Sequence, residues 1–204
     1  MININNYALI VIDLQNDFVR QGAPMEVPDA RTSLPKVKKL LDAARNHKIP
    51  IIYTKFLSGP KKTLLWNWSP QIEEFGACKR GLKRHYSELN AERQCADVVD
   101  EIYPTDDDYI VEKYGYSAFK NTNLQDILRS EGIDSVIVVG TVTQICVADT
   151  VHDAFALGFK VLVVSDCATS FMVDMQTAFL KNFEMKFAWV KDSGEVLKMI
   201  EGTN

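Results

Sequence analysis

The chain has no apolar run of the roughly 18 residues that a membrane-spanning helix needs, and its first residues, Met-Ile-Asn-Ile-Asn-Asn-Tyr, lack the basic start and apolar stretch of a signal peptide. A cytoplasmic location is therefore expected. Its four cysteines (Cys78, Cys95, Cys146 and Cys167) form no Cys-x-x-Cys pair, and three scattered histidines complete no zinc pattern. In a reducing cytoplasm the cysteines are expected as free thiols, and no metal or other cofactor is expected. No glycine-rich phosphate loop follows any apolar run, which weighs against a flavodoxin-like nucleotide binder. Repeats and low-complexity segments are also missing. The formal net charge of −4 gives no electrostatic case for nucleic acid or an anionic membrane as partner. What is present is an ordinary soluble composition. Apolar residues make up 47% and charged residues 25% of 204 positions, enough for one domain with a full core.

Short apolar runs alternate with amphipathic stretches. Strands are expected at 7–13, 49–54, 109–112, 135–140, 160–165 and 187–190. Helices are expected at 34–46, 124–130, 143–157 and 175–182. Nearly continuous apolar strands separated by helices indicate a mostly parallel, doubly wound sheet with helices on both faces, a three-layer α/β fold in a single domain over 1–204. The segment at about 59–93, rich in Trp, Gly, Lys and Arg, breaks this alternation and reads as a lid or interface excursion.

Such sheets place their sites beyond the carboxyl ends of the strands. Three strand ends carry reactive groups. Asp13 closes the first, in Val-Ile-Asp-Leu-Gln-Asn-Asp-Phe. Lys113 closes the third, in Val-Glu-Lys-Tyr-Gly-Tyr-Ser-Ala-Phe. Cys146 follows the fourth, in Gly-Thr-Val-Thr-Gln-Ile-Cys-Val. With Thr143 as N-cap, Cys146 falls in the first turn of a helix, where the helix terminus and a nearby ammonium lower a thiol pKa. Asp13 can take the thiol proton and return it to a leaving amine. Backbone N–H groups near Val142 and Cys146 can hold an oxyanion. Each residue also has an ordinary role: an aspartate as a cap, a lysine as a solvated surface group, a cysteine as a small buried hydrophobe. On the residues alone the assignment stays open.

Three segments together, Asp13 to Phe18, Lys113 to Phe119 and Gly140 to Thr150, resemble in order the signatures of the isochorismatase-like cysteine hydrolase superfamily. The resemblance implies the isochorismatase-like hydrolase fold, an Asp13–Lys113–Cys146 catalytic triad, and a non-proline cis peptide joining Thr141 to Val142 that aims the Val142 N–H at an oxyanion. It also implies homodimers or homotetramers. Nicotinamidases of this superfamily add an Asp-x-His metal site after the second strand. Here that stretch, Tyr53 to Pro60, holds neither residue type, so a metal-independent enzyme is expected. Isochorismatases cleave a vinyl ether without the cysteine, and Cys146 favours an acyl-enzyme. What remains is cleavage of a small amide or ureido C–N bond, with relatives resembling N-carbamoylsarcosine amidase, ureidoacrylate hydrolase and biuret hydrolase. The carboxylate-binding arginine of the first would fall near Phe171, and no arginine follows Arg129.

Phe18, Trp66, Tyr116 and Phe119 are candidate walls of the substrate pocket. Trp66 and Trp68 could instead anchor a neighbouring subunit. The run Arg80, Lys83, Arg84 and His85 could meet a substrate carboxylate or simply be a solvated face. Asp107 and Asp108 read as a surface turn. The rival readings are an isochorismatase-type ether hydrolase, a nicotinamidase-like amidase, and a catalytically silent relative that serves as a scaffold.

Overall fold

The computed structural model describes residues 6–59 and 76–202. Six strands form one sheet: β1 (Tyr7–Ile12), β2 (Ile51–Phe56), β5 (Tyr109–Lys113), β6 (Ser135–Thr141), β7 (Lys160–Thr169) and β8 (Trp189–Lys191). Their spatial order is β5-β2-β1-β6-β7-β8, and every neighbouring pair is parallel. The chain builds outward from β1 to β2 and β5, then returns to the other side of β1 and builds outward through β6, β7 and β8. The order thus reverses between β1 and β6, where an open α/β sheet leaves a crevice at its carboxyl edge.

The apolar runs are continuous because each strand is covered twice. Leu9, Val11, Ile137, Val139, Leu162 and Val164 belong to one core layer. Their alternates Ala8, Ile10, Val136, Val138, Val161 and Val163 belong to the other. That is the period of two expected of a pleated strand, with both faces dry. The first layer packs under helix α2 (Pro28–Asn46), which buries Leu34, Val37, Leu40, Leu41 and Ala44. The second packs under α3 (Leu124–Ser130) and α4 (Ala148–Ala156). Among the described residues no helix is long and apolar enough to cross a membrane.

Three departures from the sequence reading have physical causes. Helix α2 starts at Pro28, not Leu34, because proline fits the first helical position where no N–H is needed, and the interior Pro35 is carried by the packing of the helix. The described part of the excursion contains an antiparallel hairpin, β3 (Lys83–Tyr86) with β4 (Ala91–Gln94), whose polar strands show no apolar alternation. A C-terminal helix, α6 (Ser193–Glu201), follows β8. It is opened by a capping box in which the Asp192 side chain accepts from the Glu195 N–H and the Glu195 side chain from the Asp192 N–H. Between β7 and β8 lies α5 (Val173–Asn182), continued by a π-helical turn over Phe183–Phe187.

Candidate active site

β1 ends on Asp13, whose φ of 50° turns the chain off the sheet. Its side chain is fully buried. Thr54, on the adjacent strand β2, clamps it twice. The Asp13 N–H donates to Thr54 Oγ1 at 3.2 Å, and the Thr54 hydroxyl donates to Asp13 Oδ1 at 2.6 Å. One strand further out, Lys113 ends β5 and places Nζ 2.7 Å from Asp13 Oδ2, with both side chains 0% exposed. The ammonium also donates to the Gly115 carbonyl at 3.1 Å and lies 5.3 Å from the centroid of the Phe56 ring. Burial alone would lower the Lys113 pKa. The facing Asp13 and Cys146 outweigh it and raise the value above its ordinary range, so the group is a cation. Beyond that ion pair, Asp13 Oδ2 has no hydrogen-bond partner.

Cys146 reaches the same point from the other side of the reversal. β6 crosses β1 so closely at Gly140 that a Cβ there would stand 2.0 Å from the Ile12 carbonyl oxygen, and its φ is 123°. Only glycine fits. The peptide bond between Thr141 and Val142 is cis. The chain then enters a π-helical turn, Thr143–Val147, closed by the Ile145 and Val147 N–H groups donating to the Val142 carbonyl. Thr143 is therefore not the helix cap that its sequence position suggests. Its hydroxyl donates to Gln176 Oε1 at 2.5 Å and ties the turn to α5. Thr150 accepts the Ala118 N–H and donates to the Cys146 carbonyl, linking the turn that carries Cys146 to the segment after Lys113.

Cys146 is buried, and its thiol interacts with both Asp13 and Lys113. Its pKa is raised, first by desolvation, with Asp13 adding and Lys113 opposing. The expected lowering by a helix terminus and an ammonium therefore does not win. Burial thus favours the thiol form, with a carboxylate beside it able to take the proton.

The cleft above Cys146 has a volume of about 420 Å³, suited to a small molecule. Phe18, Phe56, Tyr116, Val142, Ile145 and Phe171 are among the residues in its wall, and all lie at or beyond carboxyl ends of strands. Phe18 and Tyr116 thus lie where the sequence reading puts them. Phe119 does not, because its ring stacks on Phe159 in the second core layer at 5.8 Å. Trp66 and Trp68 lie outside the described residues. The two arginines of the basic run are spent elsewhere. Arg84 is bound to Asp17, Arg80 to Glu112 and the Tyr114 hydroxyl, and neither lines the cleft. Asp108 closes its turn at Thr105 and also holds Arg45 at 2.7 Å. Phe56, Ser58 and Ala77 carried no sequence signal, since apolar and small residues in loops are common.

The described residues at the end of β2 and just after it, Thr54 to Ser58, do not fit a metal. Thr54 holds Asp13, Lys55 pairs with Asp97, and Ser58 donates to the Ala77 carbonyl. Among the described residues no three His, Cys, Asp or Glu side chains are grouped to hold an ion.

The doubly wound sheet thus brings a carboxylate, an ammonium and a thiol together at its switch point, on a fold shared with isochorismatase-like hydrolases. Residues 7–195 match the isochorismatase domain, and the chain belongs to that family. It is 32% identical over 197 residues to ureidoacrylate amidohydrolase RutB of Agrobacterium fabrum, covering 90% of this chain and 85% of that protein. It is 29% identical over 204 residues to N-carbamoylsarcosine amidase of an Arthrobacter species, covering 97% and 72%. A cysteine hydrolase from Pseudomonas syringae pv. phaseolicola superposes with a TM-score of 0.83 at 26% identity, covering 98% of this chain and 94% of that one.

Proposed function

We propose that this protein is a metal-independent amidohydrolase that cleaves a small amide or ureido C–N bond through a thioester on Cys146. The observation that carries the reading is the buried Asp13–Lys113 ion pair with the Cys146 thiol in contact with both, below a small-molecule cleft. Amidohydrolase names among relatives that match nine-tenths of the chain support the bond type.

The chemistry follows from the geometry. As Sγ attacks the carbonyl carbon, its proton passes to Asp13. Lys113, paired with that carboxylate, keeps it in place and lowers the cost of charge on sulfur. Backbone N–H groups of Val142 and Cys146 take the oxyanion of the tetrahedral intermediate. Asp13 then protonates the leaving nitrogen, which departs as ammonia or an amine and leaves a thioester. Water, deprotonated by Asp13, hydrolyses that thioester and restores the thiol. An ether hydrolase has no need of the thiol, which is why the amide reading is favoured over the vinyl-ether reaction. An intact triad likewise disfavours a silent scaffold.

The test is ammonia release over a panel of amides, ureides and carbamoyl compounds, followed by trapping of an acyl adduct on Cys146 by mass spectrometry. Full activity in a Cys146→Ala protein on a verified substrate would overturn the scheme. The protein is further proposed to work in the cytoplasm as a homodimer or homotetramer. The exposed apolar side chains Val173 and Met185 support an interface. Light scattering at micromolar concentration that finds a monomer removes this part.

A further inference from the structure

Thr54 carries no charge, and by type it is an ordinary β-branched strand residue of the kind a sheet favours. Its contacts set it apart. β1 and β2 pair as far as the rung joining Ile12 to Thr54, and β1 then leaves the sheet at Asp13. Past that last rung the Asp13 N–H donates to Thr54 Oγ1 at 3.2 Å. The same oxygen lies 2.6 Å from Asp13 Oδ1. A backbone N–H can only donate and a carboxylate can only accept. The single hydroxyl proton of Thr54 therefore points at Oδ1, and a lone pair faces the N–H. Both partners belong to one residue, so the hydroxyl ties the Asp13 carboxylate to its own backbone and fixes its rotation. Thr54 and Asp13 are each 0% exposed, which puts both bonds beyond the reach of bulk water.

That rotation matters because of the neighbour on the other side. Lys113 Nζ stands 2.7 Å from Asp13 Oδ2 and is itself fully buried. In so dry a site the attraction between the two charges is strong. A carboxylate free to turn would present both oxygens to the ammonium and keep none for a third group. The clamp on Oδ1 prevents that turn, and beyond the ion pair Oδ2 has no hydrogen-bond partner. The carboxylate is thereby left able to interact with the Cys146 thiol as well as with Lys113. We infer that Thr54 is a positioning residue of the hydrolase, its hydroxyl fixing the orientation in which Asp13 takes the Cys146 proton against the pull of Lys113. The inference rests on the roles of Asp13 and Cys146 proposed above.

Alkylation by iodoacetamide tests this without a substrate, because the thiol must lose its proton as sulfur attacks. Cys146 lines the cleft, where a small reagent reaches it. Its rate is followed by peptide mass spectrometry at neutral pH, with urea unfolding of each variant alongside. Thr54→Val keeps the shape and removes the hydroxyl, and is expected to slow alkylation of Cys146 at least about ten-fold. Thr54→Ser keeps the hydroxyl and is expected to stay within about three-fold of native. Thr54→Ala removes the hydroxyl without setting a methyl group against the carboxylate. It is expected to follow the valine variant, and it serves if that protein does not fold. On a verified amide the same order is expected in kcat, with KM within about two-fold of native. A native alkylation rate in either folded hydroxyl-free variant, even one with a lowered urea midpoint, overturns the role of Thr54. So does a serine variant as slow as the valine one. A Cys146 that reacts no faster than Cys78, Cys95 and Cys167 in the unaltered protein is a different result: it removes the thiol mechanism itself, and this inference with it.

Discussion

Two buried carboxylates stand four residues apart in one motif, and they do opposite things. Asp13 and Asp17 are both fully buried, and each faces a cation. Asp17 is saturated. It accepts Arg84 Nε at 3.0 Å, the Tyr86 hydroxyl at 2.7 Å and the Cys78 N–H at 2.9 Å. Those three partners come from the hairpin and the loop before it, so Asp17 pins that segment against the sheet edge. Asp13 takes one hydroxyl, from Thr54, on Oδ1 and the Lys113 ammonium on Oδ2, with no further hydrogen-bond partner on Oδ2, and the carboxylate interacts with the Cys146 thiol. A carboxylate whose lone pairs are all taken can only hold structure. One with an oxygen left over beside a thiol can move a proton. The difference arises from their places at the strand end. Asp13 sits at the crevice itself, and Asp17 sits one short helical turn beyond it, beneath the hairpin.

The sharpest way to break this comparison is to remove each carboxylate and separate rate from stability. Asp13→Asn is expected to lower kcat by about 10²–10⁴-fold on any substrate of the native enzyme, the usual contribution of a positioned acid–base group. It also leaves Lys113 buried without its counter-charge, so some loss of stability accompanies it. Asp17→Ala is expected to do the reverse. It strands the Tyr86 hydroxyl and the Cys78 N–H and costs about 2–4 kcal/mol by urea unfolding, Arg84 being partly exposed and screened. Its kcat per folded molecule should stay within about ten-fold of native, since Asp17 touches no reacting group. Equal kcat losses in the two variants would erase the distinction.

A smaller effect separates the two regions by pH. The thiol of Cys95, beside Asp17, is pushed up to about 11, first by burial and then by the Asp17 charge. A raised folded value means that the thiol's contribution is complete below the unfolded value of 9.0 and is lost as pH climbs from there toward 11. Stability should therefore fall above pH 9, by up to about 1.4 kcal/mol per pH unit for each such thiol. Cys95→Ala is expected to flatten the fall in a melting series from pH 8 to 11. An unchanged slope would show that Cys95 does not titrate in this window.

Much of this was readable along the chain, for reasons visible in particular residues. Runs such as Ser135 to Thr141 and Lys160 to Val164 announce doubly covered parallel strands, because local composition and the tertiary environment agree there. The Asp192-Ser-Gly-Glu195 capping box was a legible signal of the last helix that the apolar pattern did not pick up. The hairpin at Lys83 to Gln94 was not legible. Its order comes from Asp17, Arg84 and Tyr86, contacts made across more than sixty residues, and not from its own alternation. Phe119 read as a pocket wall because it neighbours Tyr116 in sequence, but the chain turns after Lys113 and sends it into the core against Phe159.

By itself the sequence determined the layer architecture and put Asp13, Lys113 and Cys146 at or just beyond strand ends, since strand-end positions and helical periods are local properties that a parallel sheet converts into one shared edge. Only the tertiary structure decided what those groups are like. Burial raises the Cys146 thiol rather than lowering it, Thr143 is drawn away from its cap to Gln176, and Arg84 and Arg80 are consumed by Asp17 and Glu112. Protonation and pairing depend on which groups end up within a few ångströms of one another and how much water remains between them, and that is set by the packed chain.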